Sequence, residues 1–421
     1  MRSAATGSEA PLTFDSSAIF MATTREAVSL VAALLEEHGL VETLAALEKE
    51  AGTLLHDGAV VDPAELERKL RALRVAHVPA ASAELGDEDP LMAPFTGRLA
   101  TALERTVSGA HASNVLCATF CGESRELVAS GGADKLIALT STSTGEVMHR
   151  LATHNAPVLA VAAQPDGGSL LASTAMDGRV QLHDLGTRTL LHEWRDAHRK
   201  YALCATWRDG ENFATCSSDG MVAAFRAGGE SGSFDKCLDL PLSHDHGVTS
   251  VGWGRGASAP VLVASVQDSH VLKYYDCAAQ RLWSVSMNEL DDEHVSFSAM
   301  HIAVHPSGKY LAVATDRQRT FVYEWGSRTR VRTLISDFKA DDFAPAPRQS
   351  WDADGRHLYV AAGEATVALW DVGMERQVSQ LVGHSAIVRG LHVCDRPGSR
   401  RAVTCSFDKT VRVWGEATAP A

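Results

Sequence analysis

Between Ala110 and Trp414 the chain repeats one pattern seven times: a polar or His-bearing turn, an alternating apolar strand, a Gly-bearing turn, a second strand running to Asp, and a third ending on an aromatic residue. The last copy has Gly383-His384, then Thr404, Asp408 and Trp414 in "VTCSFDKTVRVWG". Earlier copies read "THNAPVLAVAAQPDGGSLLASTAMDGRVQLHDL" from Thr153 and "AHRKYALCATWRDGENFATCSSDGMVAAF" from Ala197. Units of this length, built from short strands, must bury their faces against one another. A chain of 421 residues then needs no single large core.

Period-two alternation in "VLAVAA" from Val158, "MHIAVHP" from Met300 and "VRVW" from Val411 marks strands, because successive side chains leave opposite faces of a sheet. The turns between first and second strands carry suitable chemistry: Pro165-Asp166-Gly167, Asp209-Gly210, Pro306-Ser307-Gly308, Asp354-Gly355 and Pro397-Gly398. A period near 40–45 residues predicts an all-β fold of seven four-stranded propeller blades. They fall at roughly 110–149, 150–193, 194–240, 241–284, 290–333, 334–379 and 380–414.

The pattern resembles the WD-repeat family over about three-quarters of the chain. The resemblance implies a structural relay in each blade, in which a turn His, a strand Ser or Thr, a tight-turn Asp and a Trp share hydrogen bonds. The matching residues are His111, Ser130 and Asp134; His154, Ser173 and Asp177; His198, Thr215 and Asp219; and His384, Thr404, Asp408 and Trp414. Blade four keeps His244 or His246 and Asp268 but has Ala264 for the hydroxyl. Blade five keeps His294 and Asp316 with Ala312, and blade six retains Glu364 and Trp370-Asp371 without the His.

A Ser/His/Asp set also suits a hydrolase triad, but a triad is needed once, beside an oxyanion hole. Here the set recurs in four blades at fixed spacing, which makes it structural. No phosphate loop, HExxH motif or convergent carboxylate pair accompanies it. The reading is non-enzymatic, with no catalytic residue, metal or cofactor.

After Trp414 only "GEATAPA" remains, too little for an outer strand, and an open edge exposes unpaired backbone. Leu103 to Val107, "LERTV", reads like the outer strand that precedes other copies. It is expected to pair with the third strand of blade seven and close a propeller spanning 100–415.

Residues 1–24 lack apolar patterning and read as a disordered tail. Helical spacing begins with Ala27, Leu30, Val31, Leu34 and Leu35, breaks at Gly39 and resumes with Leu40, Leu44 and Leu47. This stretch resembles the LisH motif, a helix-turn-helix dimerisation module often placed before WD repeats. The resemblance implies a homodimer formed over 25–75 through Leu30, Val31, Leu34, Leu35, Leu40, Leu44 and Leu47, although Leu34, Leu40 and Leu47 replace the usual aromatics. A hairpin packed on its own propeller is the alternative. Residues 76–99 read as a linker with a solvated acidic run at Asp87 to Asp89.

Net charge is −13, yet 16 acidic and 8 basic residues precede Ala100 while the rest holds 36 and 31. The disc is nearly balanced and lacks the basic field that phosphate backbones require, so direct nucleic-acid binding is not expected. No run approaches the roughly 18 apolar residues of a membrane span, and no signal peptide is evident. Eight cysteines, without a CxxC pair, lie mostly in strands and read as small buried apolar residues of a reducing compartment. An intracellular, cytoplasmic or nuclear, protein is expected.

Family resemblance places partner contacts on the narrower face, beside the His turns and the tight turns. The candidates are Met176, Lys200, Tyr201, Ser218, Gln267, Ile387, Arg389 and Phe407. The expected role is a scaffold or adaptor for other proteins, alone or in a larger complex. A ubiquitin-ligase substrate receptor is the alternative, although Trp370-Asp371-Val372-Gly373 lacks the Arg of the W-D-x-R pattern that the cullin-linked subset carries.

Overall fold

The computed structural model describes residues 89–416 apart from 94, 96, 229–232, 256–259, 289–296, 336–346, 362–364, 395 and 397–398. The expected tail, the expected helices with their leucines, most of the expected linker, His294, Glu364 and Pro397-Gly398 lie outside the described residues.

The described strands pair into seven antiparallel sheets of four strands each. Six are meanders in chain order, at 115–151, 158–194, 202–241, 248–286, 299–335 and 348–382. In the seventh, the inner three strands, Val388–Val393, Ala402–Ser406 and Val411–Glu416, are completed by Ala100–Val107. That outer strand runs antiparallel to Val411–Glu416, with Leu103 opposite Trp414 and Val107 opposite Val411. Pairing the first and last strands of the propeller removes the free edge.

Burial explains the arrangement. Core clusters form mainly between neighbouring blades: Val107, Val403, Val411 and Val413 of blade seven pack with Val115, Phe120 and Val128 of blade one. Two tryptophans peg inner strands to the previous blade, Trp207 Nε1 donating to Ala162 O at 2.9 Å and Trp351 Nε1 to Ala303 O at 3.0 Å. In blade three Phe213 and Phe225 stack at 4.6 Å and 11°.

Six innermost strands slip register after their first ladder pair, as between Val115 and Cys117 or between Val388 and Gly390. Each slip is a bulge, which adds twist and re-aims the following side chains.

Two sequence expectations need correction. Asp89 is buried, not solvated: its carboxylate accepts from Tyr310 OH and Lys309 Nζ, each at 2.5 Å, while Leu91 is fully buried against Tyr310, Trp351 and Trp370. A polar residue in an acidic run looks solvated until a partner far along the chain reaches it. Cys237 is exposed; Cys204 and Cys277 are partly exposed, and the other five cysteines are buried.

Candidate functional site: relays, rim and channel

In blade seven His384 Nδ1 lies 2.8 Å from Asp408 Oδ2, and His384 Nε2 lies 2.8 Å from Thr404 Oγ1. Trp414 Nε1 donates to the same hydroxyl at 2.9 Å. In blade one His111 meets Asp134 at 2.9 Å and Ser130 at 2.9 Å, with Thr140 at the site that Trp414 fills. In blade three His198 Nε2 lies 2.8 Å from Thr215 Oγ1, but Nδ1 is 3.6 Å from Asp219, and Phe225 takes the Trp site.

Burial opposes ionisation of Asp134, Asp219 and Asp408. Hydrogen bonds from side chains and from the backbone amides of Ala112, Arg199 and Ser385 outweigh it, holding all three below the ordinary carboxylate range. Burial also lowers His384.

Blade two is built differently. Ser173 Oγ sits 2.8 Å from His154 Nε2 and 3.0 Å from His183 Nε2. Asp177 does not reach His154: it is exposed and pairs with Arg179 at 3.3 Å, leaving His154 Nδ1 without a hydrogen bond. His183 stands six residues after Asp177, as Trp414 does after Asp408, so the spacing in the sequence marks it.

In blade five Asp316 is displaced by one place. Its amide donates to Ser298 O as that of Phe407 donates to Ile387 O, and Gln318 takes the positive φ held by Lys409. Asp316 therefore corresponds to Phe407, so Ala312 is not the hydroxyl position. In blade four His246 and Asp268 meet only as an exposed pair at 3.5 Å. Trp370 Nε1 of blade six has no hydrogen bond among the described residues.

The same rung recurs around one mouth of the channel. The amides of Ala133, Met176, Ser218, Gln267, Asp316 and Phe407 donate to the carbonyls of Asn114, Pro157, Tyr201, Gly247, Ser298 and Ile387 at 2.8 to 3.2 Å. These bonds fix a rim of short, rigid turns. On it Tyr201 is 51% exposed and Met176 39%, Lys200 and Gln267 are exposed, and Ser218, Ile387 and Phe407 are partly covered. Arg389 is also partly covered, with its Nη1 buried, and repulsion from Arg348 is the largest influence on its charge.

The channel holds a cavity of about 330 Å³ lined by the inner strands, including Cys117, Cys204, His301 and Arg348. No group of His, Cys, Asp and Glu suited to a metal occurs among the described residues, and none of their helices is long and apolar enough to cross a membrane.

Comparison with known proteins agrees with this architecture. The family model described as "WD domain, G-beta repeat" matches residues 145–184 and 375–415. Each match takes the outer strand of one blade and the inner three of the next. The chain is 26% identical over 219 residues to the nuclear distribution protein nudF of Aspergillus niger, covering 48% of this chain and 46% of the relative. It is 22% identical over 324 residues to guanine nucleotide-binding protein subunit beta-5b of Danio rerio, covering 76% and 77%. It is 34% identical over 64 residues to protein Rae1 of Drosophila melanogaster, covering 15% and 18%. The matched part thus spans about half of the nuclear distribution protein and most of the beta subunit. The chain is a seven-bladed β-propeller that carries WD40 repeats.

Proposed function

We propose that the chain is a non-catalytic scaffold that homodimerises through residues 25–75 and presents the propeller rim to protein partners inside the cell. The rim carries this reading: exposed Tyr201, Met176, Lys200 and Gln267 stand on backbone rungs that cost little ordering on binding. Aromatic residues and Met are types that anchor interfaces. In blades one and seven the relay groups are instead occupied with one another. WD40 propellers generally serve as interaction scaffolds, and one relative is by name a subunit of an assembly. Eight free cysteines favour a reducing compartment.

Affinity purification of the full chain and of a Met176→Asp/Tyr201→Asp variant tests the rim. Partners lost from the variant at unchanged melting temperature support it, and an identical partner list overturns it. For the dimer, Leu35→Asp with Leu47→Asp is expected to halve the mass measured by light scattering. An unchanged dimer removes this interface.

A further inference from the structure

At the first ladder position after each bulge, and at the matching place in blade six, the inner strands carry Cys117, Ala160, Cys204, Ser250, His301, Arg348 and Gly390. One level of the channel therefore receives an imidazole from blade five and a guanidinium from blade six. Arg389, in the bulge of blade seven, stands one step nearer the rim.

These groups lack counter-charges. Among the described residues no Asp or Glu pairs with Arg348 or Arg389. Arg348 Nη1 has only a long contact to Pro347 O at 3.4 Å. Arg389 Nη1 and His301 Nδ1 are buried without a hydrogen-bond partner. Repulsion from Arg348, followed by burial, brings Arg389 down to about 9, and burial lowers His301.

Two like charges facing one channel repel each other, and an arginine kept for stability would have a carboxylate beside it. Water can satisfy N–H groups but cannot neutralise two guanidinium charges. We propose that this level of the channel binds the phosphate group of a small phosphorylated molecule, with Arg348 and Arg389 as paired guanidinium donors and His301 donating from its ring. A phosphate monoester carries close to two negative charges and several acceptor oxygens, which match two forked donors; a carboxylate offers one charge. The 330 Å³ cavity is lined by His301, Arg348 and Gly390, the residue after Arg389, and is within the range of small-ligand sites.

The test is calorimetry and thermal melting of the full chain with inorganic phosphate and with pyrophosphate, against acetate and chloride at matched ionic strength. Either phosphate is expected to bind and raise the melting temperature, whereas acetate does neither. Arg348→Met and Arg389→Met are each expected to weaken phosphate binding by about tenfold or more. Either variant suffices if the other does not fold. The proposal is overturned if neither phosphate binds, if acetate stabilises equally, or if a folded variant binds phosphate as tightly as the parent.

Discussion

Ser173 Oγ lies 3.0 Å from His183 Nε2, the relation that Thr404 has to Trp414 in blade seven. One hydroxyl thus serves two buried imidazoles, and burial brings His154 down to about 4 and His183 to about 3 from an ordinary 6.5. Between pH 6.5 and those values the unfolded chain binds protons that the folded chain refuses. Stability should therefore be full above pH 6.5 and decline as pH falls toward 4 and 3, by up to about 1.4 kcal/mol per pH unit for each histidine. His183→Trp should shrink this decline, measured by urea unfolding at stepped pH. An unchanged slope would remove His183 as a contributor.

Thr404 satisfies both His384 and Trp414. Thr404→Val keeps the shape and strands both partners, so a loss of about 2–3 kcal/mol is expected, while Thr404→Ser should recover most of it. Chemical denaturation of the two variants makes the comparison. Equal losses would point to the methyl group instead of the hydroxyl.

Val107 is 2% exposed within the cluster joining blades seven and one. Placing a carboxylate there by Val107→Asp buries an unpaired charge and should cost about 3 kcal/mol or more, with association through the released edge of Val411–Glu416. Size-exclusion chromatography and melting read both effects. A monomeric variant of parental stability would mean that the closing strand contributes little.

At Gly355, φ is +81°, and an added Cβ would stand 2.3 Å from His305 Nε2. That ring nitrogen contacts Gly355 O at 2.8 Å and the ring packs edge-on to Trp351 at 4.7 Å. Gly355→Ala should therefore destabilise by more than about 1 kcal/mol, through strain and displacement of His305. Denaturant midpoints for the variant and parent would reveal it.

What the sequence displayed depended on distance along the chain. The blades are legible because alternation, turn glycines and the spacing of His384, Thr404, Asp408 and Trp414 lie within one repeat. Asp89 was misread because Tyr310 and Lys309, its partners, lie far downstream. Arg389 looked like a surface contact, since its place beside Arg348 depends on the curvature of the whole ring. Asp316 misled for a local reason: a turn reached one residue early moved it off the relay position without changing its identity.

The closure of blade seven also sets how the disc bears load. Ala100 lies opposite Glu416, so both ends of the clasp leave from the same side. Tension drawn between the two chain ends would break this ladder one rung at a time instead of shearing all of it together. The grip of Asp89 on Tyr310 and Lys309, and of Arg356 Nη1 on Ala93 O at 2.7 Å, lies ahead of the first rung on that path. The short segment around Leu91 is thus a strain relief, taking tension that would otherwise fall on the most easily unzipped joint of the ring.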